Sequence, residues 1–137
     1  MATFNKFHDF VRALGEKEHD LKDDTFKVYL TNAEPSAADD AIKTDLAEIT
    51  NENGYTAPVD IQNGYTETAG VGTMTAVDVV ITASGGTVGP FRYAVIYNDS
   101  HTSDGLMGWV DYGSAITLQA GESFTVDFNA VSLCTLE

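Results

Sequence analysis

Cysteine, proline and positive charge are all scarce in this chain, which has 137 residues, one cysteine, three prolines and seven lysines and arginines. Cys134 alone cannot close an internal disulfide, so assembly in a reducing cytoplasm is the expected setting. A catalytic thiol needs a neighbouring base and an electropositive environment; Cys134 lies in an apolar, acid-flanked tail and reads as structural or incidental. The shortage of cations leaves a formal net charge of −14. Phosphate binding needs clustered Lys and Arg, so a nucleic-acid partner is not expected. The distribution sharpens this. Lys6, Arg12, Lys17, Lys22, Lys27 and Lys43 all fall in the first third, and Arg92 alone follows them, against twelve acids from Asp45 to Glu137. Such a surface repels DNA and anionic lipid and suits a polar or basic protein partner. No apolar run approaches the roughly 18–20 residues that cross a bilayer, so no membrane partner is expected. Residues 1–6 also lack the apolar core of a secretory signal.

Chemical motifs are equally sparse. There is no Gly-x-Ser-x-Gly elbow, phosphate loop, Gly-x-Gly-x-x-Gly or Cys-x-x-Cys, so no catalytic residue, cofactor or enzyme activity is expected. His8, His19 and His101 fall on a helix, a charged connector and a loop, with no metal-ligand spacing between them. The loop from Asn98 to Gly105 is rich in oxygen donors that could gather on a hard cation, but it lacks the EF-hand spacing, and a solvated turn accounts for it better. No metal site is therefore expected. A carboxylate that serves as a general acid needs an apolar setting to raise its pKa. Asp111 and Asp127, each inside an apolar strand, have that context. A structural ion pair with Arg92, formed by one of these acids on the outer face of neighbouring strands, explains them more simply.

The residues that are present describe β-structure. Phe26, Val28 and Leu30 alternate inward in Thr25–Thr31, and Thr75–Thr82 is a β-branched run read as one buried strand. In Phe91–Tyr97, Phe91, Tyr93, Val95 and Tyr97 share one face, with Arg92, Ala94 and Ile96 on the other. Leu106, Gly108, Val110 and Tyr112 alternate with Met107, Trp109 and Asp111, and a hairpin between these two strands is the simplest pairing. Phe124, Val126 and Phe128 define a closing strand. Two Asn-Gly-Tyr-Thr copies, at 53–56 and 63–66, read as tight turns flanking short strands around Val59 and Ile61. Residues 37–48 could hold a helical turn or two around Ile42 and Leu46.

Near the N-terminus Phe4, Phe7, Val11 and Leu14 fall at helical spacing, with Phe10 beside them. This predicts an amphipathic helix over 3–14, capped by Thr3 and stopped at Gly15. So short a helix must pack on its own body or on a partner. Residues 16–24 read as a solvated, charged connector. The resulting expectation is a single domain over 1–137, mainly β: an antiparallel β-sandwich of about seven strands over 25–128, a short N-terminal α-helix, and a tail over 129–137. A small barrel is the alternative. Tyr29, Tyr55, Tyr65, Tyr93, Tyr97, Tyr112 and Trp109 could form a sugar-stacking platform, although period-2 placement makes most of them packing partners.

Several segments, in order, resemble a family of small virion structural proteins of tailed bacteriophages. They are Met1–Phe7, Asp24–Pro35, Glu48–Ile49 with Asn53–Thr56, Val88–Asp99, Gly108–Ser114 and Gly121–Phe128. The resemblance implies no enzyme activity and no catalytic residues. It implies a virion location after synthesis in the bacterial host cytoplasm. The small acidic domain with an apolar N-terminal helix suits a head-decoration, or cement, protein. Such a protein binds the major capsid protein and copies of itself, commonly as trimers, on the outer head surface. A tail- or fibre-associated protein and a carbohydrate-binding or adhesin module are the alternatives. Under the decoration reading the stripe Phe4, Phe7 and Phe10 makes the partner contacts, and Lys6 and Arg12 add charge complementarity.

Overall fold

The computed structural model describes residues 3–128 and 135–136; Cys134 lies outside them. Its elements, in chain order, are β1 (Thr3–Lys6), α1 (His8–Gly15), β2 (Phe26–Thr31), β3 (Val59–Asp60), β4 (Gly64–Thr68), β5 (Val71–Thr75), β6 (Val79–Thr82), β7 (Val88–Asn98), β8 (Leu106–Leu118), β9 (Ser123–Val126) and β10 (Thr135–Leu136). The two expected central strands form a long hairpin, β7 with β8, and β2 adds antiparallel to β7. With β1 and β3 on the outside, the five-stranded sheet runs β1-β8-β7-β2-β3. A three-stranded sheet, β10-β5-β4, and a two-stranded pair, β6-β9, complete the strands.

One apolar cluster joins these sheets. Phe26, Val28 and Leu30 of β2, Ala94 and Ile96 of β7, and Met107 and Val110 of β8 pack with Met74 of β5, Val79 and Ile81 of β6, and Val126 of β9. The chain is thus a mainly β antiparallel sandwich with one short helix. It has more strands than expected. β1 and the very short β10 pair at sheet edges, and the run 75–82 is not one strand. It breaks at 76–78, where the Val77 N–H donates to the Ile61 carbonyl at 2.8 Å, so its two ends enter different sheets. The stretch expected as a tail likewise contributes β10, antiparallel to β5.

The central sheet is buried on its second face too. Tyr29, Tyr93, Val95, Tyr97 and Leu106 pack there with Phe7 and Leu46. The segment 32–49, with a 3₁₀ turn at Lys43–Asp45, brings Leu46 onto this face. It is tied down by Tyr29 Oη donating to the Lys43 carbonyl at 2.9 Å, and by the Ile49 N–H donating to the Leu30 carbonyl at 3.0 Å. Double coverage explains why burial is nearly continuous along β2 and the second half of β7, although β2 alternates in sequence.

Irregular pairing then shifts the faces. The register passes from Phe91 opposite Ile116 to Tyr93 opposite Asp111, so extra residues of β8 bulge outward there. Phe91 consequently packs with Ala94 and Ile96, not with Tyr93, Val95 and Tyr97 as its parity predicted. Met107 is the extra residue of a second irregularity, between Gly108 opposite Ile96 and Leu106 opposite Tyr97, and it turns into the inter-sheet core.

The N-terminal segment is the largest departure from expectation. Residues 3–6 form a strand, because pairing Phe4 with Val110 and Asn5 with Trp109 satisfies the edge of β8. The helix starts only at His8, with no side-chain cap from Phe7, and it ends in a turn whose left-handed residue is Lys17 rather than Gly15. The connector 16–24 is not a free loop either: His19 and Leu21 are buried.

Tyr55 shows how loop and sheet are coupled. Its hydroxyl accepts the Leu30 N–H at 2.9 Å and donates to Glu48 Oε2 at 3.0 Å, and Glu48 also meets Lys43 Nζ at 3.3 Å. Burial and the nearby Glu48 carboxylate raise the phenol pKa. Tyr55→Phe leaves a buried N–H without its acceptor and is expected to destabilise the fold by about 1–3 kcal/mol, read as a lower urea midpoint. An unchanged midpoint would mean that the hydroxyl is dispensable.

Candidate functional site

The residues expected to contact a partner do not form an exposed stripe. Phe7 is 0% and Phe10 1% exposed, and Phe4 is half-buried. Phe4 and Phe10 pack on the inter-sheet cluster, whereas Phe7 enters the cluster on the opposite face and lies 4.6 Å from the Trp109 ring. The change from strand to helix at Phe7 sends phenylalanines of helical spacing to two sides of one sheet. Phe7 and Phe10 are buried within the chain and present no exposed surface to a partner. Lys6 is exposed on edge strand β1. Arg12 is already engaged by Asp9 at 2.7 Å, Glu16 at 2.6 Å and Glu18 at 2.5 Å, and these bonds raise its pKa. It is therefore a weak candidate for an outside acid.

The expected ion pair exists, with one of the two acids. Arg92 donates through Nε and Nη2 to the two oxygens of Asp111, at 2.9 and 3.2 Å. This bond, and the Gly113 N–H at 2.8 Å, hold the Asp111 carboxyl below its ordinary pKa. Asp111 is therefore ionised near neutrality and unsuited to act as a general acid there. Asp127 is not that partner. It follows β9, in a different sheet, and its charge adds to desolvation in raising the pKa of the half-buried Tyr112 phenol.

The aromatic residues are spent on packing. Tyr29, Tyr55, Tyr93 and Tyr97 are buried, and Tyr65, Trp109 and Tyr112 are half-buried. Tyr112 stands edge-on to Phe124 at 4.8 Å. Sugar stacking needs accessible ring faces, and these rings are turned into the two clusters. Lys43 Nζ lies 4.8 Å from the centre of the Tyr29 ring and 5.7 Å from that of Tyr97, so this cation too serves packing.

In the 98–105 loop the side-chain oxygens of Asn98, Asp99 and Ser100 have protein partners. Asp99 pairs with Lys27 at 3.0 Å and accepts the Tyr97 hydroxyl at 3.1 Å, which lowers its pKa. Among the described residues, no three His, Cys, Asp or Glu side chains are grouped to hold a metal. No helix among them is long and apolar enough to cross a membrane.

A feature the sequence did not reveal lies beside this loop. A cleft of about 150 Å³ is lined by residues that include Asp9, Arg12, Glu18, His19, His101 and Ser103. His19 and His101, from the connector and the loop, lie with ring centres 6.0 Å apart. The lining residue His19 is bridged to Asp24 by Asn98, which is 0% exposed. These residues are far apart in sequence, and no local pattern marks them. A second depression, of about 300 Å³, lies between Val59–Gln62 and Val77–Ile81 and includes the exposed Val77 and Val80. No protein-family model, curated protein or solved structure matches this chain.

Proposed function

We propose that this chain is a non-enzymatic structural protein of a tailed-bacteriophage virion, a decoration (cement) protein on the outer surface of the head. The observation that carries this reading is an acid-dominated surface around a sheet buried on both faces. Four of the seven cations, Arg12, Lys27, Lys43 and Arg92, are held in ion pairs within the chain. With seven cations against 21 acids, the formal net charge of −14 is an acid excess that no cation of the chain balances. Such a molecule is repelled by packaged DNA and favours the solvent side of a shell. The resemblance of its segments to small phage virion proteins supports the same role.

With Phe7 and Phe10 committed to the core, contacts with the major capsid protein and with further copies, in a trimer, fall to exposed groups. Lys6, exposed on β1 at the end of the strand order of the five-stranded sheet, is the foremost of these. Antibody labelling of intact particles by electron microscopy tests the reading. Label spread over the head is the expected result. Label confined to the tail would transfer the protein to a tail or fibre role, and its absence from purified particles would overturn a virion role altogether.

A further inference from the structure

We propose that His19 is an uncharged latch joining the 98–105 loop to the 16–24 connector, and that mild acid opens it. The geometry determines which nitrogen carries the proton. Asn98 Nδ2 lies 2.9 Å from His19 Nδ1 and 2.7 Å from Asp24 Oδ2, while Asn98 Oδ1 accepts the Ser100 N–H at 2.9 Å. Turning the amide over would set its oxygen against the Asp24 carboxylate and its NH₂ against the Ser100 N–H. The amide is therefore locked with its nitrogen toward His19, and Nδ1 must be the acceptor. The neutral ring carries its proton on Nε2. A second proton at Nδ1 would put two donors face to face at 2.9 Å and break the link.

Charging the ring gains little elsewhere. His19 lies between Phe10 at 5.3 Å and Phe26 at 5.9 Å and is 7% exposed. The titratable and charged groups around it are His101 from the loop, Glu18 and Asp24 from the connector, and Asp9 and Arg12 from α1. Ala13, Ala41, Ile42, Ser103 and Gly105 complete the cleft without charge. Asp9 and Glu18 are already bound to Arg12, and Asp24 Oδ2 also accepts the Asp20 N–H at 2.9 Å. The three carboxylates favour the charged ring, but desolvation and then His101 outweigh them and hold the His19 pKa below its ordinary 6.5. The same bond pattern argues against a metal at this pair. Nδ1 of His19 accepts from Asn98, and Nδ1 of His101 accepts the Ser103 N–H at 3.3 Å, so both rings keep a proton on the Nε2 that a metal would need.

The direction of the effect follows from linkage. The open form binds a proton with the ordinary pKa and the latched form binds it more weakly. The latch is therefore at full strength above pH 6.5 and weakens as pH falls below that value. This window lies above the range where carboxylates titrate. The test is hydrogen–deuterium exchange on the whole protein at about pH 7.5 and about pH 5.5, corrected for intrinsic exchange, together with ¹⁵N titration of the histidine rings. Peptides covering 16–24 and 98–105 should lose protection at the lower pH, by at most about tenfold, while β2 and β7 are unchanged. His19→Gln, which keeps an acceptor for Asn98 but cannot charge, should abolish that loss. Unchanged loop protection, the same loss in H19Q, or a His19 ring protonated at Nδ1 at about pH 7.5 would each overturn the proposal. Should H19Q fail to fold, the wild-type ring titration decides.

Discussion

Alanine at Phe7 or Phe10 is expected to destabilise the fold by about 3–5 kcal/mol in each case. Both rings are fully enclosed, and each truncation leaves a cavity that the surrounding sheet can only partly fill. Phe7 also packs on Trp109, the chain's one tryptophan. Urea unfolding followed by tryptophan fluorescence therefore reads the Phe7 site directly. A loss of this size is a large fraction of the roughly 5–15 kcal/mol that holds a typical domain together. The two variants should behave independently, because the rings lie in different clusters on opposite faces of the sheet. If F7A and F10A melted like the parent protein while losing attachment to capsids, these rings would be contact residues after all. For the same reason, deleting residues 1–15 would damage the core and could not isolate a binding arm.

Gly54→Ala should cost more than about 2 kcal/mol, whereas Gly64→Ala should cost under about 1 kcal/mol, although both glycines follow asparagine in the same four-residue sequence. Gly54 has φ +96°, and a Cβ there would approach the Thr82 carbonyl oxygen. That oxygen belongs to backbone and cannot swing aside. The turn would have to move, breaking the 2.8 Å bond from the Ser84 N–H to the Asn53 carbonyl. Gly64 has no positive φ, and its added Cβ would meet only the Thr75 hydroxyl at 3.0 Å. Thermal unfolding of the two single variants makes the comparison, and equal shifts in midpoint would contradict it.

These twin motifs show where local reading stops. Asn53-Gly54 is the tight turn its sequence predicts, with positive φ at both residues. At the second copy the left-handed residue is Gln62, and Asn63 is used differently. Its side chain donates to the Leu21 and Asp24 carbonyls and accepts the Phe26 N–H, all at 3.0 Å, fastening the connector to the start of β2. Nothing within a few residues of Asn63 encodes those partners. Phe4, Phe7 and Phe10 teach the same lesson. Their spacing is compatible with a helix, but the vacant edge of β8 offers residues 3–6 a ladder of backbone bonds that outweighs one more helical turn.

The Arg92–Asp111 pair was legible because a lone cation on a strand leaves few partners once the β7–β8 hairpin is recognised. The choice of Asp111 over Asp127 was not, since it depends on which strands become neighbours. The His19–Asn98–Asp24 link was invisible for the same reason, as it joins positions 79 and 74 residues apart.

By itself the sequence determined the class of structure and the character of the surface: mainly β, acidic, with β2, the β7–β8 hairpin and β9 near their expected positions. Those properties follow from period-2 alternation, β-branched content and net charge, which act locally or as sums over the chain. Only the tertiary structure decided which face each aromatic occupies, where the N-terminal strand becomes a helix, and which polar groups meet in the cleft. A single irregularity in strand pairing reverses the face of the residues around it, and such irregularities are set by the packing of distant segments rather than by the residues that carry them.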